Sequence, residues 1–179
     1  AAPPVETFRR NVSTPAKARD PRQIFLSHAS ADAEFAHQLA DDLRAEGRRV
    51  WIAPESIRPG EKWVEAIDRG LETSGVFVVA LTPAAVASRW VRTETNAAIS
   101  MEHRDLIRLI PLDVTETQPS GLWSQYQYIP FRDGYEVGLD ALLRQLAETI
   151  DTDGYVNWLK SLPDKVFPGK ITQGPPPES

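Results

Sequence analysis

Residues Val76-Phe77-Val78-Val79-Ala80-Leu81 form an unbroken apolar run closed by Thr82-Pro83. A run this short, rich in β-branched and aromatic types and bounded by turn residues, suits a strand buried on both faces. Such a strand needs helices above and below it, so the flanking segments must supply them. After a break at Pro83 and a short loop, Trp90 and Glu94 stand four apart on an expected helix, which puts an indole and a carboxylate on one face. In open α/β sheets, ligands sit beyond the carboxyl ends of the strands, where this loop and helix start emerge. The pair is the first candidate for a working site.

The rest of the chain repeats the pattern. Residues 1–21 hold four prolines with Arg9, Arg10, Lys17 and Arg19 and almost no apolar periodicity, the composition of a linker or arm. Ile24-Phe25-Leu26 reads as a first strand, Ser27-His28-Ala29-Ser30 as a turn, and Ser30 or Asp32 as a helix cap. Phe35, Leu39 and Leu43 then follow helical spacing, and Gly47 suits a helix C-terminus. Val50-Trp51-Ile52 is a second strand. The loop from Ala53 to Gly60 is long for a βα connection, and Trp63, Val64, Ile67 and Leu71 form a helix expected to end at Gly75. The helix of Trp90 and Glu94 runs on through Ala97, Ala98 and Met101. Leu106–Leu112 is a further strand interrupted by Arg108, Ile129-Pro130-Phe131 a short edge strand, and Leu139, Leu142, Leu143, Leu146 and Ile150 a last amphipathic helix. Five strands alternating with helices predict a three-layer, doubly wound α/β domain with a five-stranded parallel sheet over residues 22–152. Residues 153–179 close on Gly174-Pro175-Pro176-Pro177 and read as an exit linker, part of which Tyr155, Trp158, Leu159 and Phe167 would dock.

Composition narrows the chemistry. An apolar share of 41% in 179 residues is enough for one real core, and a net charge of −5 argues against a nucleic-acid surface. Without cysteine there is no disulfide framework, thiolate nucleophile or zinc cluster. No apolar stretch reaches transmembrane length and no signal-peptide pattern opens the chain, so a cytoplasmic domain without membrane contact is expected. A start at Ala1 rather than Met is expected of a piece of something longer. Glycine-rich phosphate loops are missing, which argues against a nicotinamide dehydrogenase. His28, His37 and His103 lack metal-ligand spacing, so no metal is expected, and Ser27 and Ser30 lack the context of a hydrolase nucleophile. Glu94 taken alone could serve the helix dipole or pair with Arg89 or Arg92. Trp90 alone could be core, and the loop alone a rigid turn. The three in one order are more informative than any one of them.

In that order, the chain from Ile24 to about Phe131 resembles a Toll/interleukin-1 receptor (TIR) domain of the bacterial, NAD-cleaving type. Phe25-Leu26-Ser27-His28 resembles the family's first strand and its exit loop, and Trp51 through Trp63, with Arg58-Pro59-Gly60, resembles the BB loop. Ser88-Arg89-Trp90-Val91-Arg92-Thr93-Glu94 resembles the segment carrying the catalytic glutamate. Val91 replaces a cysteine common after that tryptophan, and Ala53-Pro54 stands where many members carry an aspartate. The resemblance implies a flavodoxin-like fold and a hydrolase that cleaves the N-glycosyl bond of NAD+, giving nicotinamide and linear or cyclic ADP-ribose. It implies Glu94 as the catalytic carboxylate, with NAD+ as substrate and no cofactor. Trp90 or Trp63 would stack on the dinucleotide, Ser27 and His28 would hold ribose or phosphates, and Arg58 would contact a phosphate. It also implies self-association with other TIR domains through the loop containing Pro54, Ile57, Pro59 and Gly60. The expected role is that of an effector in bacterial anti-phage defence, triggered by a sensor domain outside this chain. Two rivals remain: a non-catalytic TIR signalling scaffold, and a nucleoside deoxyribosyltransferase on a similar sheet, against which the loop sequence argues.

Overall fold

A computed structural model describes residues 19–117 and 123–148. Five parallel strands form one sheet in the order β2-β1-β3-β4-β5: β1 Asp20–Ser27, β2 Arg49–Trp51, β3 Ser74–Leu81, β4 Arg108–Asp113 and β5 Ile129–Pro130. The helices are α1 Ala33–Ala45, α2 Trp63–Thr73, α3 Pro83–Ala87, α4 Arg89–Glu102 and α5 Tyr135–Glu148. The doubly wound α/β architecture expected from the sequence is the one found.

β3 lies in the middle, with Phe77 opposite Phe25 on one side and Leu109 on the other. Its side chains alternate, as strand geometry requires. Val76 and Val78 join Leu39 and Leu43 of α1 and Leu142 and Leu146 of α5 in one core, while Phe77, Val79 and Leu81 join Ile67 and Leu71 of α2 and Val91 and Ala98 of α4 in the other. Because β1 leads to α1 on one face and β3 leads to α3 and α4 on the other, the chain divides between these two central strands. A crevice opens at that division, beyond the strand ends.

Several boundaries differ from those read in the sequence. α2 stops at Thr73, and Gly75 is a residue of β3 rather than a helix stop. The end of α2 is satisfied by side chains: Ser74 Oγ donates to the Gly70 carbonyl at 2.7 Å, and the Arg19 guanidinium donates to the Leu71 and Ser74 carbonyls at 2.5 and 3.1 Å. Gly75 is needed for closeness instead, since a Cβ there would lie 2.7 Å from Pro21 Cα. Pro83 opens a helix rather than only breaking one: it occupies the first turn of α3, and Thr82 Oγ1 accepts from the Ala85 N–H at 3.0 Å. Neither Ser30 nor Asp32 caps α1 with its side chain. Ser30–Asp32 forms a 3-10 turn, and the Asp32 carboxylate instead accepts from Thr82 Oγ1 at 2.6 Å. Gly47 does close α1, at φ +77°, with the Arg48 N–H bonded to the Leu43 carbonyl. Arg108 begins β4 rather than interrupting a strand from Leu106, and its guanidinium reaches the carbonyl and side-chain oxygens of Gln145. β1 reaches back to Asp20, whose buried carboxylate accepts from the Arg22 N–H and from Arg49. The arm over 1–18, Ile150 and the exit segment 153–179 lie outside the described residues.

Candidate active site

The crevice at the strand ends is a cleft of about 160 Å³ with four walls. The first comes from the exit of β1 (Ser27, His28 and Ser30) and the second from the start of α1 (Ala33 and His37). The end of β2 and its loop (Trp51, Ala53 and Pro54) form the third, and Trp63 of α2 with Trp90 and Glu94 of α4 form the fourth. Local sequence places the last of these. Ser88 caps α4 by accepting from the Val91 N–H at 3.3 Å, which starts the helix at Arg89. Val91, Thr95 and Ala98 then bury against the core, and this phase turns Trp90 and Glu94 together into the cleft.

Glu94 is the chemical centre of the cleft. It is only 4% exposed and no Arg among the described residues pairs with it; its Oε2 accepts the Ser27 hydroxyl proton at 2.5 Å. Burial raises the carboxyl to about 7, against the opposing pull of that hydrogen bond. It is the only carboxylate among the described residues that line the cleft. Above it, the Trp63 and Trp90 rings meet edge to face at 6.3 Å, and each indole remains about half exposed, at 51% and 41%. On the opposite wall the His28 and His37 rings meet at 6.3 Å. Burial, followed by the neighbouring His37, lowers His28 below the ordinary histidine value. His37 Nδ1 lies 3.5 Å from Glu55 Oε2, and Arg44 donates to the other oxygen of Glu55 at 2.7 Å, so α1 holds the loop that follows β2.

Of the residues singled out in the sequence, Ser27, His28, Pro54, Trp63, Trp90 and Glu94 come together here. The structure does not bring Arg58, Pro59 or Gly60 to the cleft wall: all three are exposed, and the Arg58 N–H donates to Glu61 Oε2 at 3.1 Å. Ile57 packs partly buried against the core on the α2 side. Sequence reasoning missed His37, which was weighed only as a metal ligand. Its place off the buried stripe of α1 carries no signal until the cleft is known. Trp51, read in the sequence as a strand residue and as the start of the BB-loop-like stretch but not as a site residue, forms part of the cleft wall with its indole while stacking on Phe25 at 4.4 Å.

The arrangement suits stabilisation of a cation beside aromatic faces. Among the described residues it lacks the paired carboxylates of ordinary glycoside cleavage. Among the described residues no cluster of three or more His, Asp or Glu could hold a metal ion, and no helix is long and apolar enough to cross a membrane.

Comparison with known proteins identifies the family. The family model for the TIR domain matches residues 24–160. The NAD(+) hydrolase PdTIR of Paracoccus denitrificans is 36% identical over 93 residues, which cover 51% of this chain and 31% of that protein. A probable 2′ cyclic ADP-D-ribose synthase, TcpB of Brucella abortus, is 28% identical over 109 residues, covering 60% of this chain and 44% of that protein. The matches thus span between about a third and under half of these curated relatives. Among solved structures, the TIR domain of the Toll-related receptor TRR-2 from Hydra magnipapillata superposes with a TM-score of 0.61 at 17% identity, covering 69% of this chain and 97% of that one. By the family match, and by a five-stranded sheet that superposes on a TIR domain, this chain belongs to the TIR-domain family.

Proposed function

We propose that the domain cleaves the ribosyl–nicotinamide bond of NAD+, with Glu94 as the catalytic carboxylate. The observation that carries this reading is a lone carboxylate, buried beneath two exposed indoles at the mouth of the strand-end cleft. The names of the bacterial relatives support it. Nicotinamide leaves with the electron pair of the C1′–N bond, and because the pyridinium is already cationic, no general acid is required. The ribosyl ring becomes oxocarbenium-like. An ionised Glu94, itself shielded from solvent, stabilises that charge as it develops. Water adding to C1′ and losing a proton gives ADP-ribose; a hydroxyl of the same molecule adding instead gives the cyclic product. Trp63 and Trp90 offer faces for the dinucleotide's aromatic rings, and His28 offers a hydrogen-bonding edge to ribose or phosphate. NAD+ is the substrate, and no other cofactor takes part.

Self-association belongs to the same proposal. Trp63 and Trp90 are exposed large apolar residues on the α2 and α4 wall, Val64 beside Trp63 on α2 is 62% exposed, and Ala53 and Pro54 at the start of the 53–60 loop line the same cleft. A second TIR domain packed on this face would cover the indoles and close the site. The domain would then act as an effector switched on when the rest of its protein raises the local concentration.

The deciding experiment measures nicotinamide release from NAD+ by the purified chain and by Glu94→Gln. The variant keeps side-chain volume while losing charge, so turnover should fall by at least about a hundredfold with an unchanged circular dichroism spectrum. A folded Glu94→Gln protein with near wild-type turnover overturns the assignment. The released products separate hydrolysis from cyclisation.

A further inference from the structure

We propose that Ser27 is a positioning residue for this reaction: its hydroxyl donates to Oε2 of Glu94, holding the carboxylate charged and leaving Oε1 as the oxygen offered to the ribosyl cation. This rests on the glycohydrolase reading of Glu94. It reverses the role read from the sequence, in which Ser27 touches substrate.

The geometry leaves Ser27 few alternatives. It ends β1, is paired with Val79 of β3 in the ladder, and is 1% exposed. A hydroxyl has one proton, and at 2.5 Å from Oε2 that proton is committed to the carboxylate. It cannot be donated to a ribose as well. The two oxygens of Glu94 are therefore unequal. Oε2 is anchored to the central sheet, whereas Oε1 has no hydrogen bond from any of the described residues and is not among the enclosed unpartnered atoms. Anchoring one oxygen fixes the carboxylate plane, so the other points in a set direction as charge develops at C1′.

The surroundings of Glu94 provide no substitute for the hydroxyl. Trp51 of β2 and Trp63 of α2, which share its cleft, carry no charge. His28 after β1 and His37 of α1 line the opposite wall without bonding to it, and burial disfavours a charge on His28. Arg89 and Arg92 share α4 with Glu94 but make no ion pair with it, and on α3 no residue carries a charge. Among the described residues, the Ser27 hydroxyl is what opposes the cost of burying the anion.

The test compares wild type with Ser27→Ala and with Ser27→Cys, a near-isosteric, weaker donor. Two quantities are followed: the Glu94 carboxyl, titrated by side-chain carbon-13 NMR, and the pH profile of kcat/KM for NAD+. Losing one charge-assisted bond should raise the NMR midpoint by about one unit in Ser27→Ala, with Ser27→Cys between it and wild type. The rate profile should move by the same amount, so the loss is about tenfold below the midpoint and recovers at alkaline pH. An unmoved NMR midpoint overturns the proposal. So does a pH-independent loss of rate, which marks a structural serine, or a raised KM with an unmoved midpoint, which marks a substrate contact. If wild type does not cleave NAD+ at all, the glycohydrolase reading fails instead, and the NMR titration still decides whether Ser27 holds the Glu94 charge.

Discussion

A buried carboxylate imposes a cost that can be measured. In the unfolded chain Glu94 gives up its proton near the ordinary value of 4.5, but in the folded protein only near 7. Between those values the native state holds a proton that the unfolded state has released. Native stability therefore falls as pH rises through that window and levels off above it. The gap of about 2.5 units corresponds to about 3 kcal/mol. Glutamine carries no charge and can still accept from Ser27, so Glu94→Gln should be more stable than wild type at pH 8, by on the order of 2–3 kcal/mol. That advantage should be gone at pH 4.5. Urea unfolding of both proteins at the two pH values checks this, with the other titrating groups cancelling in the comparison. A variant less stable than wild type at pH 8 would mean that the cavity accommodates the anion better than its burial suggests. The same titration governs the proposed reaction: kcat/KM should rise with pH and reach a plateau above about 7.

Packing between elements sets the width of the cleft. The Trp51 indole of β2 is held between Phe25 of β1 and Gly70 of α2, where a methyl group would lie 2.7 Å from the indole carbons. Gly70→Ala pits two effects against each other. Alanine favours the helix by about 1 kcal/mol, while overpacking a filled core costs about 1–3 kcal/mol. With rigid ring atoms on one side and helix backbone on the other, overpacking should win and the melting temperature should fall. Turnover per folded molecule should fall too, because the displaced elements carry Trp51 and Trp63 into the cleft. A thermal melt of Gly70→Ala at or above wild type would show that α2 can slide outward freely. The loop after β2 is secured at its other side, where Glu55 takes Arg44 and His37 of α1.

For the molecule as a whole, the sheet order places β1 and β3 side by side and sends their following helices to opposite faces, which opens the cleft beside Glu94. Trp63 and Trp90 leave apolar surface on its wall, and Val64 beside Trp63 adds to it. If a second copy covers this surface, the completed site is a property of the dimer or filament, and mass action sets the fraction formed. NADase turnover per molecule should then rise with protein concentration and with fusion to an oligomerising partner, alongside an increase in light scattering. Constant turnover per molecule from a strictly monomeric species would remove assembly from the mechanism.

The strands, the helices and the cleft's main residues were legible in the sequence because each follows a local rule. Apolar runs became strands, a 3.6-residue period became helices, and the four-residue step from Trp90 to Glu94 put both on one wall. Gly75 and Pro83 were misread because glycine and proline have more than one use: close backbone approach at the first, a helix start at the second. Tertiary structure decided the rest. Nothing near Glu94 in the chain indicates that its partner is Ser27, which is 67 residues away. Nor does the sequence show that His37 faces His28, or that Arg58 stands off the wall. A carboxylate's burial, and hence its charge at neutral pH, is set by what surrounds it from several strands and helices at once, and only the assembled sheet brings those groups together.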